Sequence, residues 1–386
     1  MNKPLTAPQT RLPKVGTTVF TVMSALATQH QAINLGQGFP DFECDPALID
    51  AVTQAMRAGM NQYPPMTGLP ALRQAIANKV AAMYGAHYDA NLEVTVTAGA
   101  TQGILTAILA MVHPGDEVIV LEPCYDSYQP SIELAGGVCV RLPLSPIDYS
   151  VPWDRVADAI TPKTRMILIN SPHNPTGSTL SSADLDALWR IVERTGIYVL
   201  SDEVYEHMVY DGKPHHSVAS HPGLRERSLV LSSFGKTFHV TGWKVGAVCA
   251  PAALMAEFRK VHQFNVFTVN TPMQAALATY LENPAPYRDL PAFYQSKRDL
   301  FRAGLAQSRF KLYPCPGTYF QVVDYSAIAP EKTEMQFAQW LTSQVGVAAI
   351  PISAFYDAPI ENRTVRFCFA KKETTLLAAI AKLQAL

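Results

Sequence analysis

The sequence predicts an α/β fold, with a mainly parallel, doubly covered sheet in a large domain followed by a small α+β domain. Three observations carry this. Short apolar runs alternate with helical patterns from residue 93 to residue 250, as in chained strand–helix–strand units. Runs such as Glu117-Val118-Ile119-Val120-Leu121 and Arg165-Met166-Ile167-Leu168-Ile169-Asn170 have the continuous apolar character of strands buried on both faces. The rhythm breaks at Asn283-Pro284-Ala285-Pro286, where a second unit begins.

The elements follow in order. Residues 1–33 read as an arm leading to a short helix around 18–29. Helices are expected at 46–58 and 68–84, the second with Leu69, Leu72, Ile76 and Val80 at three- and four-residue spacing. Strand 93–97, helix 104–112, and strands 117–121, 137–142 and 165–170 come next. Ser181 opens a helix with Asp184 three residues on, a capping box, and Gly196 is expected to close it. Strand 197–201, strand 228–233, a loop and strand 244–250 complete the sheet. Beyond the break, a long helix carries Phe293, Leu300, Phe301 and Leu305. Strands follow near 319–323 and 365–369, with a turn at Pro314-Cys315-Pro316-Gly317.

Composition narrows the function. The 386 residues are 48% hydrophobic and 16% charged, enough for a large core. Net charge is −1 from 31 basic and 32 acidic residues, with no basic stripe, so neither nucleic acid nor a membrane surface is an expected partner. Cysteines at 44, 124, 139, 249, 315 and 368 form no Cys-x-x-Cys pair, which reads as a reduced cytoplasmic protein without disulfides or a metal site. The N-terminus, with Pro4, Pro8 and Pro13, lacks an apolar signal core, and no uninterrupted apolar run is long enough for a bilayer.

Chemistry is expected just past the strand ends. Ser233-Phe234-Gly235-Lys236 and Lys244 place a hydroxyl, an amine and a second cation around one loop. A primary amine can form a Schiff base with an aldehyde cofactor, and a hydroxyl and cation can hold that cofactor's phosphate. Gly235-Lys236-Thr237 also resembles the tail of a P-loop, but Val230 stands where that motif needs glycine. Gly99-Ala100-Thr101-Gln102-Gly103 starts a helix whose free N–H groups suit a phosphate, or is an ordinary helix start. Ser171-Pro172-His173-Asn174-Pro175 reads as a rigid, cis-prone turn aiming Asn174 inward, or as a plain turn; His173 reads as structural. Asp202, ending an apolar strand, wants a positive partner, with Tyr205 three residues on; the plainer reading is a helix cap and a core tyrosine. Arg366, a lone cation in an apolar strand, wants a carboxylate: a substrate's, or that of a protein acid such as Glu361.

Taken in order, Gly-Ala-Thr, Asn-Pro-x-Gly, Asp-x-x-Tyr, Ser-x-x-Lys and Arg-Phe-Cys-Phe resemble the class I aminotransferases, pyridoxal-phosphate enzymes of fold type I. The likeness spans Asn34 to about Ala370. Asn34-Leu35-Gly36-Gln37-Gly38-Phe39-Pro40-Asp41-Phe42, Thr241-Gly242-Trp243-Lys244-Val245-Gly246 and Arg366-Phe367-Cys368-Phe369 resemble the kynurenine/glutamine aminotransferase branch and the bacterial methionine aminotransferases similar to it.

That resemblance implies roles. Lys236 would carry pyridoxal 5'-phosphate, with Asp202 facing the pyridine nitrogen, Tyr205 and Asn174 the phenolic oxygen, and Tyr125 stacking on the ring. Ala100, Thr101, Ser233 and Lys244 would bind the phosphate. Tyr63 would reach a neighbouring subunit's phosphate, implying a homodimer. Arg366, Asn174 and the Gly38 backbone would hold the substrate carboxylate. Residues 46–284 would form the cofactor domain, with 1–45 an arm contributing to a small domain at 285–386. Lys244 departs from the arginine of many class I enzymes, keeping the charge without the bidentate fork. Tyr125 replaces a frequent phenylalanine or tryptophan and still stacks.

The expected reaction moves the amino group of methionine, and of aromatic amino acids, to a 2-oxo acid with ping-pong kinetics. Aromatic Phe20, Phe39, Phe267, Phe355 and Tyr356 suggest an apolar or sulfur-bearing substrate, and no second arginine greets a side-chain carboxylate. A kynurenine/glutamine transaminase or a carbon–sulfur β-lyase on the same fold are the alternatives. A cofactor-sensing regulator ranks far behind, since the residues before Asn34 are too few and too neutral for a DNA-binding segment.

Overall fold

The structure, a computed structural model, describes residues 8–358 and 360–386. The first seven residues of the predicted arm, Pro4 among them, lie outside the described residues.

The strands in chain order are β1 Ile33–Asn34, β2 Val94–Thr97, β3 Glu117–Glu122, β4 Val138–Pro143, β5 Thr164–Asn170, β6 Tyr198–Asp202, β7 Ser228–Ser233, β8 Gly246–Cys249, β9 Lys311–Leu312, β10 Phe320–Asp324, β11 Val347–Ala348, β12 Ile350–Pro351 and β13 Thr364–Cys368. Seven make one sheet in the order β2-β8-β7-β6-β5-β3-β4. Within it β4, β3, β5, β6 and β7 are parallel, while β8 runs antiparallel to both β2 and β7. Val118, Ile119, Val120, Ile167, Val199 and Leu200 have essentially no exposed surface, as a sheet covered on both faces requires.

Separate apolar clusters cover the two faces. One gathers Ile104, Ile108 and Phe258 against Val118 and Leu168. The other gathers Leu185, Leu188 and Val192 against Ile167 and Val199. The C-terminal residues form a smaller antiparallel sheet, β12-β13-β10-β9. The arm joins this end of the chain, since Ile33 and Asn34 pair in parallel with Val347 and Ala348.

The predicted elements form with shifted ends. The capping box at Ser181 and Asp184 is present, but the helix Ser182–Val192 ends before Gly196, because Glu193 caps it in right-handed geometry. Lys244 is not in the last strand of the large sheet; it sits left-handed, at φ +55°, after a tight turn. The helix placed at 104–112 begins a turn earlier, as Ala100–Met111. Several helices lie outside the predicted set, among them Ala252–Asn265, Thr271–Tyr280, Glu334–Trp340 and Glu373–Gln384. Thr271–Tyr280 shows why: Thr271, Gln274, Ala276, Leu277 and Ala278 are all buried, so no polar stripe marks an amphipathic period.

No helix among the described residues is long and apolar enough to cross a membrane. None of the described His, Cys, Asp and Glu side chains gather in a group of three or more that could hold a metal ion.

Candidate active site

Strands β5, β6 and β7 end side by side at Asn170, Asp202 and Ser233, and β2 ends nearby at Thr97. Parallel sheets open a crevice at such carboxyl ends. A cavity of about 310 Å³ lies there. Every candidate residue singled out from sequence lines it, Phe20 included, except Tyr63, Phe267, Phe355 and Tyr356.

Lys236, one turn beyond β7, donates from Nζ to the Tyr319 hydroxyl at 3.1 Å and to the Gly38 carbonyl at 3.2 Å. No carboxylate pairs with it among the described residues. Desolvation lowers its pKa from 10.5 to about 8, and the Arg366 charge pushes the same way. A useful fraction of neutral amine therefore exists near neutral pH.

Asp202 ends β6 almost fully buried. Its Oδ2 accepts from the Tyr128 hydroxyl at 2.6 Å, and Oδ1 accepts from Val204 N–H at 3.4 Å. It forms no ion pair with any described cation. Burial raises its pKa to about 6 against the opposing Tyr128 hydrogen bond. A buried carboxylate without a cation is costly, and a cationic nitrogen placed against it would relieve that cost.

Asn170, its neighbour across β5 and β6, braces both loops. Its Nδ2 donates to the Asp202 carbonyl at 2.8 Å, and its Oδ1 accepts from Asn174 N–H at 2.8 Å. The Ser171–Pro172 and Asn174–Pro175 bonds are both cis. His173 is bound to Thr176 Oγ1 at 2.7 Å and takes no part in the cavity wall.

Arg366 comes from β13, at the far end of the chain. Its Nη1 donates to Asn174 Oδ1 at 2.6 Å and its Nη2 to the Gly36 carbonyl at 2.9 Å. Its guanidinium carbon lies 3.8 Å from the Phe320 ring centroid, and Nε is buried without a partner among the described residues. The Glu361 alternative is not realised: that carboxylate accepts from Glu334 N–H, and Arg366 pairs with no acid. Burial lowers the Arg366 pKa to about 10, so it stays charged near neutral pH. A buried guanidinium without an acid can hold a carboxylate.

The opposite corner suits an anion. Gly99 precedes the helix Ala100–Met111 at φ +76°, and the first N–H groups of that helix have no acceptor within it. A side chain at residue 99 would meet Lys244, whose Nζ lies 3.4 Å from the Cβ position. Thr101 Oγ1 lies 3.5 Å from the Tyr125 hydroxyl, and Ser233 stands at the end of β7. Groups that could match a phosphate, a cationic nitrogen, an aldehyde carbon and a carboxylate line this one cavity.

Some expected residues sit elsewhere. Tyr63 is 82% exposed, with its ring edge-on to Phe267, away from this chain's cavity. Phe355 lies one layer behind the wall, packed edge-on against Phe20 at 5.8 Å and 5.2 Å from the Arg366 guanidinium carbon. Phe267 and Tyr356 do not line the cavity either. Sequence reasoning assigned no role to Tyr128, Asn170 or Tyr319. Tyr128 stands three residues after Tyr125, at the start of the helix Tyr128–Leu134, and that spacing was the available signal. Tyr319 looks like any core aromatic until the fold brings its hydroxyl 2.6 Å from the Gly38 carbonyl.

The chain is similar over nearly its whole length to known proteins. The family described as aminotransferase class I and II matches residues 30–383. The methionine aminotransferase of Escherichia coli (strain K12) is 51% identical over 386 residues, covering 100% of both chains. A crystal structure from Escherichia coli that identified a methionine aminotransferase function superposes with a TM-score of 0.97 at 51% identity, over 99% of this chain and 100% of that one. The kynurenine–oxoglutarate transaminase 1 of Rattus norvegicus is 33% identical, covering 97% of this chain and 96% of the relative.

Proposed function

The chain belongs to the class I and II aminotransferases and is a transaminase, and we propose that it uses pyridoxal 5'-phosphate to move the amino group of methionine, and of aromatic amino acids, to a 2-oxo acid. One observation carries the reading. A desolvated amine, a buried carboxylate without a cation and a guanidinium without an acid face one cavity.

The residues fit the cofactor. The unpaired Asp202 suits its ring nitrogen, and the free helix start at Ala100 and Thr101, with Ser233 and Lys244, suits its phosphate. Tyr125 offers a ring to stack on, Tyr205 and Asn174 offer polar groups for its phenolic oxygen, and Lys236 offers the amine that would hold it. Bound there, pyridoxal phosphate supplies an electron sink that lets an amino acid lose its Cα proton.

The chain supplies the rest. Arg366 holds the substrate carboxylate, and Asn174, already bonded to Nη1, fixes the fork's plane. Lys236 Nζ takes the Cα proton as a neutral amine and returns it as an ammonium. The Tyr319 hydroxyl and Gly38 carbonyl accept its N–H groups meanwhile, which keeps the amine aimed. Phe20 and Phe39 wall the substrate end. Among the described lining residues the cations are Lys236, Lys244 and Arg366, so none remains for a side-chain carboxylate, while a thioether or ring gains from aromatic contact. The identity with a methionine aminotransferase supports the same choice.

The reading includes a homodimer in the cytoplasm. Tyr63, exposed away from its own chain's cavity and edge-on to the exposed Phe267, would serve the partner's phosphate corner. The six free cysteines suit a reducing compartment. It also divides the chain at residues 45 and 284, with support from the pairing of the arm with β11.

The test is a half-reaction. Methionine added to the holoenzyme without any oxo acid should bleach the yellow cofactor band and release one 2-oxo acid per site. A band that methionine leaves intact, but glutamine or kynurenine bleaches, would reassign the donor. Accumulating pyruvate and ammonia from a cysteine conjugate would make the enzyme a β-lyase.

A further inference from the structure

Behind the active site lies a buried ionic cluster that the proposed chemistry does not use. The turn that follows β6 carries two pairs of residues, each spaced by three. Asp202 and Tyr205 line the cavity, whereas Glu203 and Glu206 do not; both glutamates line a smaller space of about 20 Å³ with Lys79, Tyr84 and Tyr88. Glu206 Oε1 accepts from Lys79 Nζ at 2.5 Å and Oε2 from the Tyr84 hydroxyl at 2.5 Å. Lys79 and Glu206 are each only 6% exposed. Both donors stand on the helix Pro70–Tyr84. Glu203 ties the same turn to another segment: its Oε1 accepts from Ser201 Oγ and Val218 N–H, and its Oε2 lies 2.9 Å from His215 Nε2.

Ionic groups this deep add little net stability, because desolvation offsets their attraction. What they do supply is direction. A carboxylate gripped at both oxygens from one helix fixes the turn's rotation, and with it the two side chains on the turn's other face.

We propose that Lys79, Tyr84 and Glu206 are positioning residues that set Asp202 and Tyr205 against the cofactor from behind. This rests on the reading of Asp202 as the partner of the cofactor's ring nitrogen. A misplacement near 1 Å can cost on the order of 100-fold in rate, so a pinned turn is worth its desolvation.

The experiment compares three holoenzymes with the parent: Glu206→Gln, the paired apolar replacement Lys79→Met with Glu206→Leu, and Asp202→Asn. Melting temperature, the pH midpoint of the cofactor absorption band, kcat and the methionine KM are measured for each. Glu206→Gln strands a buried ammonium and is expected to melt early. The paired replacement restores charge balance, leaves the Tyr84 hydroxyl without its acceptor, and is expected to melt closer to the parent than Glu206→Gln. Its band midpoint should nevertheless move in the direction that Asp202→Asn moves it. Its kcat should fall about 10- to 100-fold with KM nearly unchanged. A paired variant that folds and keeps the parental midpoint and kcat, while Asp202→Asn alters both, overturns the positioning role alone. If Asp202→Asn also leaves both unchanged, the reading of Asp202 fails and the inference falls with it.

Discussion

Lys236→Ala should abolish transamination while leaving the fold intact. The side chain sits at the cavity wall and makes no ion pair among the described residues, so truncation strands no buried charge. On the proposed mechanism, what is lost is the proton carrier. General acid–base catalysis alone is worth about 10²- to 10⁴-fold, and losing the amine that anchors the cofactor adds to that. Turnover near the parental rate would remove Lys236 from the mechanism. The parent also carries a pH signature. The Lys236 pKa is lowered to about 8, and the neutral amine is the reactive form, so cofactor uptake by the apoenzyme should rise with pH and level off above about 8. An unperturbed lysine would keep rising toward 10.5.

Arg366→Lys should lower kcat/KM for methionine by about 10- to 150-fold, the cost of one charge-assisted hydrogen bond at about 1.5–3 kcal/mol. Lysine keeps the charge but cannot bond Asn174 and Gly36 and still present a fork. The loss should appear mainly in KM, with the cofactor band unchanged, because the proposed role of Arg366 is to hold the substrate carboxylate and not the cofactor. Steady-state kinetics across a methionine series checks it. A variant with parental kcat/KM would mean that the carboxylate binds elsewhere.

Much of this site was legible because its chemistry is strung along strand ends. Asp202 and Ser233 announce themselves as polar residues ending apolar runs, Asn174 by the two prolines that flank its turn, and the lone Arg366 by its place inside an apolar strand. Side chains that act across the fold were not legible. Tyr319 reaches Lys236 across 83 positions in sequence, and Lys79 reaches Glu206 across 127, so nothing local marks either. Gly196 misled because glycine after a helix is a weak stop signal when the preceding residues already cap it. Lys244 misled because its neighbours read as strand, whereas the tight turn before it forces a left-handed backbone. The pairing of the arm with β11 joins residues more than 300 apart and has no local signature; only the family resemblance put the arm with the C-terminal unit.

The central claim is that one amine, Lys236, holds the cofactor. Borohydride reduction of the yellow holoenzyme fixes the lysine–cofactor bond, and a tryptic digest then locates it. Trypsin cuts unmodified protein after Arg227, Lys236 and Lys244. A modified Lys236 resists cleavage, so one peptide spanning 228–244 and carrying the cofactor's mass should replace the two peptides 228–236 and 237–244. Cofactor mass on any other lysine, or intact 228–236 as the major product from fully loaded enzyme, would contradict it.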